Sequence, residues 1–251
     1  MKTPALLTLT SLCIFSHASA QAPGPLRVFA SNGIKAVAED LKPQTEKTTG
    51  RPISFTFDST VGLRKRIAAG EPWDVAIVTS DAVDTLIKDG LLTASTHTDF
   101  ASVGVGVGYK TGTKKPKVET ADAMKKTLLD AKSVTYAAEG ASRVVVERMI
   151  DKLGLAATLK PRIVLAQGSG PATAAVAAGK SDIVLTLASE ILPVSGLSLA
   201  GGIPKEFQQN FIFSGAANVK TANLAAAKAL LAALKSPAAA PIYKARGMEP
   251  R

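Results

Sequence analysis

The sequence predicts an α/β fold with mainly parallel sheets, and three observations carry that expectation. Apolar runs of strand length alternate with helical patterns along the whole chain. Four strand-to-helix corners are built from serine, threonine, asparagine and glycine, two before residue 100 and two after it. Between the two groups, Val103-Gly104-Val105-Gly106-Val107-Gly108-Tyr109 alternates valine with glycine. Such a strand is thin and bendable, suited either to crossing between two lobes or to sitting as a thinned strand in a core.

The elements follow in order. Leu26 to Ala30 is an apolar strand that opens through Ser31-Asn32-Gly33 into a helix. The helix face recurs at Ile34, Val37 and Leu41, and Pro43 and Gly50 are its stop signals. Ile53 to Phe57 is the next strand; Asp58-Ser59-Thr60 turns it into a helix marked by Leu63 and Ile67. Asp74 to Val78 reads as a buried strand, after which Ser80 caps a helix reaching Lys88 and stopped by Gly90.

Beyond the valine–glycine run come a helix near Ala121 to Leu129 and a strand at Ser133 to Ala137. The corner Glu139-Gly140-Ala141-Ser142-Arg143 then opens a helix from Ser142 to Leu153. A strand at Arg162 to Ala166 leads into Gln167-Gly168-Ser169-Gly170-Pro171, with Pro171 at a first helical position of an alanine-rich helix ending at Ala178. Ile183 to Leu187 is a strand, Phe211 to Val219 a return strand, and Thr221 to Leu234 an amphipathic helix. Each corner leaves backbone N–H groups free at the positive end of a helix dipole, which suits a small anion. One corner alone carries little, because α/β connections use glycine and serine anyway. Four in two groups point to a ligand held between lobes.

Composition narrows the classes. Residues 1–20, MKTPALLTLTSLCIFSHASA, read as a secretory signal with a basic start at Lys2, an apolar run and a small-x-small end at Ala18-Ser19-Ala20. Its removal takes the chain from 251 to 231 residues and the formal charge from +10 to +9, and leaves no cysteine once Cys13 is gone. Disulfides and thiolate metal sites are then excluded. A basic exported protein attracts anions in general; nucleic acid is set aside, because aromatics are few and no binding motif is present. His97 is the only histidine left, in a polar stretch read as a surface loop, so a histidine metal cluster is excluded and neither metal nor cofactor is expected.

Four stretches carry a resemblance: VFASNGIKAV (28–37), FDSTVGLRKRIAAGEPWDVAIVTSD (57–81), DKLG (151–154) and PAAAPIYKARGMEP (237–250). They resemble the periplasmic molybdate-binding protein family, the capturing components of oxyanion importers, over nearly the whole chain after residue 20. The resemblance implies a two-lobed type II periplasmic-binding-protein fold with a two-strand hinge. Lobe 1 would comprise 21–104 plus 213–251 and lobe 2 would comprise 105–212. It also implies one anion in the cleft, closure on that anion, a periplasmic monomer, and hand-over to an ABC-type importer permease.

The family holds its oxyanion with two hydroxyls, amides of two helix starts and a tyrosine hydroxyl. Here the first serine position falls at Gly33, with Ser31 and Asn32 just before it, and the second hydroxyl at Thr60. The amide positions fall at Ser142 and at Ser169-Gly170; the tyrosine position falls at Leu187, beside Thr186, so that donor is lost. Arg143 stands where the family has a small residue, and Arg64 follows the Thr60 corner. A guanidinium in the pocket favours a planar carboxylate, which it grips with two parallel hydrogen bonds. The alternative is that Arg143 faces solvent and the site keeps an oxyanion.

Three functions compete. The first is a binding protein for a small anion, either an oxyanion or a di- or tricarboxylate. The second is an enzyme: an aconitate isomerase is similar to this family, and shifting a double bond needs a base beside a carboxylate-stabilised carbanion. Asp58, Glu139 and Lys35 are its candidate bases, with turn and capping roles as the alternative for the two carboxylates. The third is a sensory protein presenting its ligand to a receptor. Trp73, the single tryptophan, either walls the cleft or packs against a lobe edge.

Overall fold

The computed structural model describes residues 24–251; the expected signal, 1–20, lies outside them. β1 (Leu26–Ser31) passes through a 3-10 turn (Asn32–Ile34) into α1 (Lys35–Thr49). Val37, Ala38 and Leu41 bury one face of α1, and Gly50, left-handed at φ 67°, ends it. Pro43 does not stop this helix. Pro43 and Glu39 are both exposed, so the carbonyl that the proline leaves unbonded meets water.

The chain continues through β2 (Ile53–Asp58), α2 (Thr60–Ala68), β3 (Val75–Thr79), α3 (Ser80–Lys88) and β4 (Thr98–Val103). After Gly104 come β5 (Val105–Lys110), α4 (Ala121–Asp130), β6 (Val134–Ala137), α5 (Ala141–Lys152) and α6 (Ala156–Leu159). β7 (Ile163–Ala166), α7 (Ser169–Ala177), β8 (Ile183–Leu187), α8 (Ala188–Ile191) and β9 (Leu197–Gly202) complete this half. β10 (Phe211–Ala217), α9 (Leu224–Lys235), α10 (Ala240–Ala245) and β11 (Glu249–Pro250) return to the first half.

Two sheets result, flanked by helices. The first has the order β11-β4-β10-β3-β1-β2 and the second β7-β6-β8-β5-β9. Parallel pairing is confined to β2-β1-β3 and β7-β6-β8. The remaining pairs are antiparallel, so both sheets are mixed rather than mainly parallel. The cause is the crossing: β5 enters the second sheet, and β10 re-enters the first, against the run of the strands beside them.

The two crossings lie side by side. Gln208 donates to the Val105 carbonyl at 2.9 Å and accepts from the Val105 amide at 2.8 Å, tying the outgoing strand to the returning segment. A Cβ at Gly104 would stand 2.9 Å from Gln208 Cδ, so a larger residue there would push the Gln208 side chain out of this tie. Gly106 and Gly108 serve packing instead, under Leu199 and Val184.

Trp73 is buried and stacks on Phe29 with ring centroids 6.2 Å apart. Beside it, the Asp74 carboxylate accepts from the Arg27 guanidinium and amide, from Thr221 Oγ1 and from Asn223 Nδ2. Burial pushes this carboxyl up, but those hydrogen bonds prevail and bring it down to about 2. The same network delays the last long helix: Thr221 and Asn223 are committed to Asp74, and α9 begins only at Leu224.

Candidate functional site

The four expected corners converge on one cleft between the two sheets. An inner cavity of about 30 Å³ is bordered by Ser31, Asn32, Thr60, Ser142 and Ser169 from those corners, together with Thr186, Leu187 and Glu190. It adjoins an outer cleft of about 500 Å³ lined by Asn32, Lys35, Asp58, Glu139, Ser169, Gly170 and Glu190 among others.

Local sequence explains why the inner cavity is rich in donors. No side chain caps the turn at Ser31, the start of α5 at Gly140 or the start of α7 at Gly168. Gly140 (φ 144°) and Gly168 (φ 102°) take backbone angles that suit only glycine, and a glycine brings no capping group. The first amides of α5 and α7 therefore have no acceptor within their helices. α7 begins at Ser169, two residues before its expected start at Pro171, so the amides of Ser169 and Gly170 precede the proline. At the second corner, Ser59 does cap α2, accepting from the Gly62 amide at 3.0 Å. The neighbouring Thr60 Oγ1 is buried with no hydrogen-bond partner among the described residues.

The expected ligand residues do not all occupy equivalent places. Ser31, Ser142 and Ser169 are buried at the inner cavity, and Asn32 and Ser169 border both spaces. Gly33 borders neither. A Cβ there would stand 2.3 Å from Phe213 Cζ and 2.8 Å from Leu187 Cδ1, so the position is filled by its neighbours. The Gly33 carbonyl accepts from Ser189 Oγ at 2.6 Å, joining the floor of the cleft across the two halves. Arg64 is exposed on α2, outside both linings. Arg143 is bonded to Glu147 at 2.9 Å and to the carbonyl of Ala138, and it too lies outside both linings.

The candidate bases line the outer cleft in ion pairs. Asp58 meets Arg66 at 3.2 Å, and Lys35 lies 3.8 Å from Glu39 and 5.4 Å from the centre of the Phe57 ring. Glu139 meets Lys65 at 3.2 Å, and because Lys65 stands on α2 this pair spans the cleft.

One residue at the centre of the site escaped the sequence reading. Glu190, in the four-residue helix α8, borders both spaces and accepts from Thr186 Oγ1. Burial pushes its carboxyl up from the ordinary range, against hydrogen bonds from Thr186, Ser169 and the Leu187 amide. A fifth strand-to-helix corner, Leu187-Ala188-Ser189-Glu190, was there to be read, but one turn of helix has no periodicity to announce it.

Comparison with known proteins shows what the chain is similar to. Residues 26–249 match the family model described as bacterial extracellular solute-binding protein. An aconitate isomerase from Pseudomonas sp. is 31% identical over 242 residues, covering 92% of this chain and 90% of the relative. The molybdate-binding protein ModA of Escherichia coli (strain K12) is 24% identical over 234 residues, covering 89% and 88%. The periplasmic molybdate-binding protein of Azotobacter vinelandii superposes with a TM-score of 0.75 at 19% identity, covering 89% of this chain and 98% of that one.

Proposed function

Because this chain belongs to the bacterial extracellular solute-binding proteins, we propose that it is an exported protein that captures a small anion between two lobes. The supporting observation is the inner cavity, where uncapped helix starts and the unpartnered Thr60 hydroxyl converge. Neutral donors and fixed dipoles balance an anion without a full counter-charge. Lobe 1 would be 21–104 plus 213–251 and lobe 2 105–212, and closure would bend the two crossings that Gln208 ties together. The periplasm is the expected compartment, and an ABC-type importer permease the expected recipient.

Within this reading we favour a di- or tricarboxylate over molybdate. The inner cavity holds one anionic head, and the outer cleft, about 500 Å³, leaves room for a second carboxylate beside Lys35, while three of the four acidic residues in its lining are held in ion pairs. Arg143 would reach the ligand by giving up Glu147, a half-exposed pair of the kind worth only a few tenths of a kcal/mol, and the Ala138 carbonyl, a bond worth about 1.5 kcal/mol or more, in exchange for a carboxylate that it grips with two parallel hydrogen bonds.

A second reading is an isomerase moving a double bond in such a ligand, favoured by the 31% identity to the aconitate isomerase. The decisive experiment adds molybdate and trans-aconitate in parallel, follows thermal stabilisation, and monitors isomer conversion by ultraviolet absorbance. Stabilisation by trans-aconitate without turnover supports capture; conversion supports the enzyme; stabilisation by molybdate alone removes the carboxylate preference.

A further inference from the structure

We propose that Glu190 makes anion capture proton-coupled: the pocket takes its anion together with one proton, carried by the Glu190 carboxyl or by the ligand. The inference rests on the anion-capture reading and adds a condition to it.

The argument begins with position. Glu190 borders the inner cavity and the outer cleft, so an anion in either space faces its carboxyl. The other three acidic residues lining the outer cleft each have a cation: Asp58 has Arg66, Glu139 has Lys65 and Glu39 has Lys35. Glu190 forms no ion pair among the described residues; its partners are the neutral hydroxyls of Thr186 and Ser169 and the Leu187 amide.

The chemistry follows from donor and acceptor counting. An ionised carboxylate only accepts hydrogen bonds, and so does a fully ionised anion. Side by side in one pocket they repel, with no proton between them. One proton resolves both faults, because a neutral carboxyl donates to the anion and carries no charge. Burial already favours that neutral form. A ligand bearing its own hydroxyl or acidic proton would meet the same need by donating to ionised Glu190.

The elements packed against Glu190 bring few charges to it. α7, β8, β9 and the turn at Asn32–Ile34 present no charged side chain to it. β5 carries only Lys110, whose amine lies against Gly179. Across the cavities stand Lys35, Glu39, Asp58 and Glu139, in the ion pairs named above.

The test is isothermal calorimetry on the full folded protein with trans-aconitate and with molybdate as separate probes. Titrations run in buffers of different ionisation enthalpy from about pH 6 to 9, where trans-aconitate is fully ionised. The expected result for a bound probe is uptake of one proton per anion at the upper end, with affinity falling about tenfold per pH unit there. Glu190→Gln is expected to abolish both the uptake and the slope. Binding with no proton uptake and a flat pH profile overturns the inference while leaving anion capture intact, as does a slope that survives in Glu190→Gln. If neither probe binds at any pH, anion capture fails and the inference falls with it. Should Glu190→Gln not fold, Thr186→Val serves in its place: it removes a hydrogen bond to the ionised Glu190 carboxylate, so the onset of uptake is expected at higher pH, and an unchanged profile overturns the inference.

Discussion

Replacing Thr60 by valine separates two roles that a single hydroxyl rarely separates. The hydroxyl is buried at the start of α2 and has no partner among the described residues, while it borders the inner cavity. Valine keeps the shape and a similar helix propensity, so the change removes little besides the oxygen and its proton. A buried hydroxyl without a partner carries a desolvation penalty of about 1–3 kcal/mol. Thr60→Val should therefore leave the ligand-free protein equally stable or up to about 1 kcal/mol more stable, a rise in Tm of about 2–4 °C for a chain of this size. Binding should move the opposite way. A hydrogen bond to a charged group contributes about 1.5–3 kcal/mol. Its loss should weaken the anion by about 10- to 150-fold. Urea unfolding without ligand and calorimetry with trans-aconitate measure the two effects. A variant that is less stable yet binds as tightly would show that this hydroxyl supports the fold rather than the ligand, and would refute the reasoning.

Three further outcomes are expected. The Asp74 carboxyl sits at about 2 against an ordinary 3.8, so its stabilisation of about 2 kcal/mol is present above about pH 4 and lost as pH falls through about 2. Asp74→Asn should cost about 2–3 kcal/mol near neutrality and converge with the parent in acid, as followed by circular dichroism. Gly33→Ala would press Phe213 and Leu187, costing about 1–3 kcal/mol by thermal denaturation and weakening anion binding at the adjoining cavity. Arg143→Ala should weaken trans-aconitate about tenfold and molybdate little if the guanidinium swings from Glu147 to the ligand. Equal affinities in calorimetry would confine Arg143 to its own helix.

The strands that flank the cleft were legible because each is a short apolar run bounded by its own turn. β1, β2, β3, β6, β7 and β8 lie where local pattern places them, to within a residue or so at each end. The edge strands β9 and β11 were not legible: β9 runs through Gly201 and Gly202, and β11 is two residues held against β4. Strand direction also escaped, because a strand does not record in its own residues which way its neighbour runs. Among the site residues, Ser31, Asn32, Thr60, Ser142, Ser169 and Gly170 were readable as corner chemistry and border the cleft. Gly33 fills its place because of Phe213, a residue 180 positions away.

The amino-acid order alone determined which corners expose amides and that the chain alternates strand and helix; these are properties of neighbours within a few bonds. Tertiary structure decided which corner groups share a cavity, that Arg143 spends its guanidinium on Glu147, and that Glu190 faces the ligand space without a cation. Those outcomes depend on burial and on partners distant along the chain, and desolvation is a property of the surroundings that no single stretch of residues encodes.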